Sequence, residues 1–265
     1  MNKLNKVIGI VSWLPDNEEA RTQRIDRLER LFKQLDIYFK GIPIIIIAQN
    51  WKDYKLPDSI NANVFYYSKL GILKARKTLR EKFLESNYDY LIMCDDDCII
   101  ESTVEATTNY LDEMDNHPNG FCFIQYENAQ LNLCAISRYI YEKEPMVDID
   151  PQKNEGFEDL IWSCLLHYKY PELEFHITNV KHIQFNNPNE SAPSTWANDE
   201  IRNWDMMLKR SNRYIEEFKK GNYSINIFTP ITKEVLRKND WYEKALWHGW
   251  CTREEYDEFK KKYGL

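Results

Sequence analysis

The runs "KVIGIVSWL", "IPIIIIAQNW" and "YDYLIMCDD" are apolar with almost no interruption over the length of a strand. A strand with one face in water alternates apolar and polar residues. A strand that stays apolar throughout is covered on both faces, as in a parallel sheet packed between helices. The intervening segments supply such helices. In "RIDRLERLFKQLDIYF", Ile25, Leu28, Leu31, Phe32 and Leu35 recur at helical spacing, with Gly41 as a stop. "NVFYYSK" reads as another strand and "GILKARKTLREKFLES" as a second amphipathic helix. "STVEATTNYLDEM" is a helix capped by Ser102 or Thr103. "GFCFIQYE" and "LNLCAISRYIYEK" are strand-like, the second running into a helix. This alternation predicts an α/β fold with a mixed, mostly parallel sheet flanked by helices. Ligands of such sheets gather at the carboxyl ends of the strands.

The second half has another texture. "FEDLIWSCLLHYKY" looks helical, "FHITNVKHIQF" strand-like, "NNPNESAPSTWANDE" is a polar loop and "IRNWDMMLKRSNRYIEEFKKG" a long helix. The tail "TREEYDEFKKKYG" carries a capping box from Thr252 to Glu255 and Gly264 as its stop. The expected organisation is one domain over residues 1–200 with a helical extension, 201–265, packed on it.

At 265 residues and 43% hydrophobic content the chain can build a large core. A net charge of −7 gives no general attraction to nucleic acid or an anionic membrane. The six cysteines include no C-x-x-C pair and no zinc-like spacing, which fits reduced thiols in the cytoplasm. The amino terminus "MNKLNKVIGIVSWLPDN" turns polar too soon for a signal peptide, and "IPIIIIA" is too short to span a bilayer. A cytoplasmic protein with no transmembrane segment is therefore expected.

Asp95, Asp96 and Asp97 come directly after an apolar strand, where the topology rule places chemistry. An Asp-x-Asp there suits a hard divalent cation, since Mg²⁺ or Mn²⁺ takes carboxylate oxygens and completes its shell with substrate phosphates. The other reading is a solvated acidic turn. Three further segments bear on the choice. "SWLPDNEEARTQR" places Arg21 or Arg24 near phosphates, or on a solvated helix face. In "KLGILKARKTLR", Gly71 allows close backbone approach and Arg76 follows in the next helix, near the site or on its surface. In "GFEDLIW", Glu158 and Asp159 open an apolar helix, as chemistry or as partners of its positive end.

Taken in order, Gly71-x-x-x-x-Arg76, "YDYLIMCDDD" and "GFEDLIW" resemble the metal-dependent glycosyltransferases of the GT-A fold, particularly the large family-2 type, over roughly residues 5–200. The resemblance implies a Rossmann-like nucleotide-diphospho-sugar transferase fold, with a donor half over 1–100 and an acceptor half over 101–200. It implies that Asp95 contacts the ribose or donor sugar and shares the metal. Asp97 would ligate Mn²⁺ or Mg²⁺, and Asp96 would touch the donor. Arg76 would approach the diphosphate, although Lys77 stands where the family usually has Asn. Glu158 and Asp159 look like the acidic pair over the acceptor, with Asp159 as general base. His182 in "VKHIQF" is similar to a further metal ligand, and His176 is the second choice. Trp196 in the polar loop stacks on a sugar or anchors that loop.

The implied activity is sugar transfer from a nucleotide-diphosphate sugar, a UDP-sugar foremost, to a hydroxyl acceptor by single displacement with inversion. The expected acceptor is a bacterial surface glycan or glycoconjugate. A phage-type enzyme glycosylating hydroxymethylated bases in DNA is the alternative, acting in an infected host cell. The tail's basic stretches favour it and the overall acidity opposes it. A cation-dependent sugar-binding module explains the acids and aromatics, but not Arg76 together with Glu158 and Asp159. A sugar nucleotidyltransferase would need a glycine-rich loop where "VSWLPDN" stands.

Overall fold

A computed structural model describes residues 3–124, 132–144, 162, 166, 169–177, 179–184 and 261. The chain divides into two compact units, Met1–Ser163 with Tyr170–Phe185, and Cys164–Lys169 with Asn186–Leu265. In the second unit only Leu166, Lys169 and Lys261 are described. The polar loop and long helix expected there, and all of the tail but Lys261, lie outside the described residues.

The first unit is built on a six-stranded sheet. Its strands are β1 (Lys6–Trp13), β2 (Ile44–Gln49), β3 (Ala62–Tyr67), β4 (Tyr90–Asp95), β6 (Phe121–Cys122) and β7 (Cys134–Ser137), in the order β3-β2-β1-β4-β7-β6. The first four run parallel; β7 is antiparallel to both β4 and β6. The three apolar runs are β1, β2 and β4, whose residues are buried almost throughout. The chain steps outward from β1 to β2 and β3, then returns to the other side of β1 as β4. That reversal is the point where doubly wound sheets open a crevice beyond their carboxyl ends.

The flanking helices are α1 (Glu18–Tyr38), α2 (Ile72–Leu84), α3 (Val104–Asn116) and α4 (Arg138–Lys143). α1 begins earlier than its apolar periodicity indicates. Asn17 caps it, accepting from the Ala20 amide at 3.0 Å, and Glu18 and Glu19 meet its positive end. Of the two expected caps of α3, Thr103 serves, accepting from the Ala106 amide at 3.1 Å. A short strand after the aspartates, β5 (Cys98–Ile100), pairs antiparallel with β8 (His182–Gln184) in a separate two-stranded sheet. Of the strand-like segment "FHITNVKHIQF", the described residues form a strand at His182–Gln184. Among the described residues no helix is long and apolar enough to cross a membrane.

Gly9, in the middle of β1, permits the close seating of α2. A Cβ there would lie 2.6 Å from Leu91 Cδ1 and 2.8 Å from Leu79 Cδ2, both on fully buried side chains. Gly9→Ala is expected to cost about 1–3 kcal/mol through overpacking, read as a lower urea midpoint with an unchanged slope.

The core also holds protonated thiols and phenols. Burial raises the Cys122 thiol from 9.0 to about 12, and it raises Cys134, Tyr110 and Tyr141 in the same direction. Between pH 9 and 12 the folded protein therefore holds protons that the unfolded chain has released. The stability these groups give is fully present below pH 9 and is lost as pH rises toward 12. Urea midpoints measured across that window are expected to fall steadily.

Candidate active site

The carboxyl ends of β1, β2 and β4 are tied together by polar side chains that leave little backbone unpaired. Gln49, the buried last residue of β2, accepts from the Leu70 amide at 2.7 Å and the Gly71 amide at 3.2 Å. This fixes the approach to α2. Gly71 has φ 81°, a left-handed conformation that a side chain resists. Asn50 has φ 58° and donates to the Leu14 carbonyl at 2.7 Å and to Asp16 at 3.0 Å. Arg21, from α1, donates to the carbonyls of Asn50 at 3.0 Å and Pro15 at 3.4 Å. Lys69 lies over the Trp13 ring, 5.8 Å from its centroid.

The acidic triplet sits at the end of β4, beside the end of β1. Asp95 closes the strand, Asp96 and Asp97 form the turn, and Cys98 opens β5. The three carboxylates have different surroundings. Asp95 is 23% exposed in its side chain, and Arg76 Nη2 lies 3.2 Å from each of its oxygens. Its backbone amide donates to the buried Asn132 Oδ1 at 2.7 Å. Asp96 is buried, accepting from Arg24 Nη1 at 2.8 Å and from the Trp13 amide at 3.3 Å. Asp97 is half-buried, within the field of Arg24 and Arg27.

Charge explains this arrangement. Asp96, ahead of Asp97 and Asp95, holds the Arg24 guanidinium above its ordinary value against the opposing effect of burial. Arg27 is pushed down, first by burial and then by Arg24, while Asp97 and Asp96 push it back up. A hydrogen bond with Cys98, together with complete burial, raises Cys94 well above its ordinary value, so it stays a neutral thiol.

Asp95, Asp96, Asp97, Arg24 and Arg76 are therefore brought together as one cluster. Gly71 caps the helix that carries Arg76, and Arg21 fastens the β1 and β2 exits. Glu158, Asp159 and Trp196 lie outside the described residues. Trp162, which closes the "GFEDLIW" segment, is fully buried and stacks on Tyr141 of α4 with ring centroids 5.2 Å apart. His182 sits in β8 opposite Ile100, and His176 is exposed. Asn132, Gln49 and Asn50 were not singled out in the sequence. The signal for them is a polar residue interrupting or ending an apolar run: "LNLCAIS" for the first, "IIIIAQN" for the other two.

The donor set suits a hard divalent cation. Asp95 and Asp97 are the less buried carboxylates of the triplet, Asp95 23% exposed and Asp97 half-buried. Among the described residues no three acidic, thiol or imidazole groups form a protein cage. A cation held by one or two carboxylates and completed by phosphate oxygens and water is the usual arrangement for Mg²⁺, and such a site needs no cage.

No protein-family model and no curated protein sequence matches the chain. Solved structures do resemble it. The mannosyltransferase PcManGT from Pyrobaculum calidifontis, in complex with GDP-Man and Mn²⁺, superposes with a TM-score of 0.52 at 9% identity, over 93% of this chain and 72% of that one. TarS 1-349 from S. aureus, in complex with UDP-GlcNAc, superposes with a TM-score of 0.50 at 10% identity, over 81% of this chain. The match spans 66% of that chain, just under two thirds. With the strand order above, these likenesses show a GT-A, nucleotide-diphospho-sugar transferase fold.

The Asp95 amide provides a direct check on the cluster. Asn132→Ala removes its acceptor in a fully buried place, and a loss of about 1–3 kcal/mol in unfolding free energy is expected by urea titration.

Proposed function

We propose that this protein is a divalent-metal-dependent glycosyltransferase that transfers a sugar from a nucleotide-diphosphate donor to a hydroxyl acceptor with inversion at the anomeric carbon. The observation that carries the reading is the position of Asp95 at the end of β4 and Asp97 in the turn after it, at the β1/β4 reversal, with Arg76 on Asp95. Donors bound by the structural neighbours, UDP-GlcNAc and GDP-Man, make UDP- and GDP-sugars the first to test.

In this reading Asp95 and Asp97 hold Mn²⁺ or Mg²⁺, and His182 is a further candidate ligand. The cation supplies Lewis-acid stabilisation of the charge that grows on the departing diphosphate. Arg76 holds Asp95 in place and presents its guanidinium to the same developing charge. Gly71 and Arg21 keep the loops around the nucleotide in register, and Trp196 is assigned to the donor sugar. Asp159 accepts the proton of the attacking hydroxyl, with Glu158 beside it. Nucleophile and leaving group stand on opposite faces of the sugar, so the configuration inverts. Residues 1–100 are assigned to the donor and 101–200 to the acceptor. A neutral or glycan acceptor in the cytoplasm fits a chain of net charge −7 better than DNA does.

The test is a screen of UDP-, GDP- and TDP-sugars with and without Mn²⁺, following nucleoside diphosphate release. Turnover is expected with Mn²⁺ and is expected to vanish on chelation and in Asp97→Ala. With acceptor present, Asp159→Asn is expected to lower kcat by about 10²–10⁴-fold while donor binding persists. If the wild type neither turns over any donor nor binds a nucleoside diphosphate in a metal-dependent way by calorimetry, the glycosyltransferase reading is wrong.

A further inference from the structure

The middle aspartate and Arg24 have a role that the spacing of the motif does not indicate. Both oxygens of the Asp96 carboxylate are engaged by protein: Oδ1 by Arg24 Nη1 at 2.8 Å, Oδ2 by the Trp13 amide at 3.3 Å. The side chains are only 8% exposed for Asp96 and 15% for Arg24. Trp13 is the last residue of β1, Arg24 belongs to α1, and Asp96 is in the turn beyond β4. One carboxylate therefore joins three elements across the reversal of the sheet. The same β1 exit is tied to the end of β2 by Asn50 and Arg21.

We infer that Asp96 and Arg24 are positioning residues rather than donor contacts, and that they lock the metal-bearing turn to the exit of β1 so that Asp95 and Asp97 stand ready for a cation–diphosphate unit. This rests on the function proposed above. A buried Asp96 whose oxygens are both taken has little left to offer a donor. Arg24, itself only 15% exposed in its side chain, neutralises that carboxylate through Nη1. What sets the two flanking aspartates apart is exposure, Asp95 being 23% exposed and Asp97 half-buried where Asp96 is buried. Groups behind metal ligands typically change metal affinity or activity by about 10–100-fold when removed.

A direct contact and a positioning role differ in what they do to two probes. UDP and GDP with Mn²⁺ report on the turn. UMP and GMP without metal report on the nucleoside and its first phosphate, without the metal-bound diphosphate. Calorimetry would compare the wild type with Asp96→Asn, Arg24→Met and Arg24→Lys, with thermal melting to confirm that each is folded. Asp96→Asn keeps the shape and an acceptor for the Trp13 amide but removes the charge. Positioning predicts that Asp96→Asn and Arg24→Met weaken Mn²⁺-dependent diphosphate binding about 10–100-fold, leave monophosphate binding within about twofold, and that Arg24→Lys recovers most of the loss. Equal weakening of both probes, or variants that bind the diphosphate as the wild type does, would overturn the inference while leaving the glycosyltransferase reading in place. A wild type with no metal-dependent diphosphate binding would overturn both. Should Asp96→Asn fail to fold, the Arg24→Met and Arg24→Lys pair decides the matter by the same split.

Discussion

Three consecutive carboxylates at the end of a buried strand repel one another at separations where water screens poorly, and the fold around them is arranged to meet that repulsion. α1 brings Arg24 and Arg27 to one side, and α2 brings Arg76 to the other. The pairs are not equivalent. Asp96 with Arg24 is nearly closed to solvent, so its attraction must offset a substantial desolvation cost. Such pairs are poor sources of net stability, but they are expensive to break: removing one partner strands a buried charge at about 3–5 kcal/mol. An interaction of that kind fixes geometry. It specifies where α1 lies against the turn more sharply than apolar packing does, because a guanidinium and a carboxylate have a preferred separation and orientation.

The sheet topology makes that specification useful. β1 is the pivot between a branch leading to β2 and β3 and a branch leading to β4, so the exits of β1 and β4 are neighbours in space though far apart in sequence. Nothing in the parallel ladder itself holds their loops. The backbone ladder runs one residue past the ends of β1 and β2, with the Leu14 amide on the Gln49 carbonyl at 3.1 Å and the Asn50 amide on the Tyr67 carbonyl at 2.9 Å, and side chains add the remaining ties. Asn50 in a left-handed conformation, Gln49 on the Leu70 and Gly71 amides, Asn132 on the Asp95 amide and Asp96 on the Trp13 amide all perform this one task. A crevice rimmed by such polar side chains is preorganised at the place where a ligand would otherwise have to order loops.

How much of this could be read in the sequence follows from the same physics. β1, β2 and β4 are legible because burial on both faces leaves a composition that few other structures share, and α2 because its apolar stripe is regular. α1 was placed too late, since its first turns are held by Asn17 and by polar contacts of Arg21 and Arg24 rather than by apolar packing. β5 and β8 are three-residue strands whose pairing is long-range, so no local pattern announces them. The triplet is legible as an acidic cluster at the end of an apolar strand, but which of its members is buried is not. Which of three identical residues is buried depends on how strand β4 ends and on which element covers the turn. Arg24 reads equally well as a phosphate ligand, a surface residue or a counter-charge, and only the 2.8 Å contact with Asp96 separates these. Asn132 sits in an apolar run whose polarity is meaningful only once the strand lies beside β4.

The balance of charge also bears on why such a site would use a cation when arginines are already present. Asp95, Asp96 and Asp97 face Arg24, Arg27 and Arg76, three against three among the described residues. The guanidiniums are therefore engaged in making the turn compatible with the fold, and Arg24 cannot swing to a phosphate without abandoning Asp96. A nucleoside diphosphate brings further negative charge into this balanced cluster. On the proposed function, a divalent cation held by Asp95 and Asp97 would add net positive charge to this cluster, which the engaged arginines do not. The acidic turn and its arginines thus balance one another's charge, and on the proposed function a bound cation would be what offsets the charge of an anionic donor there.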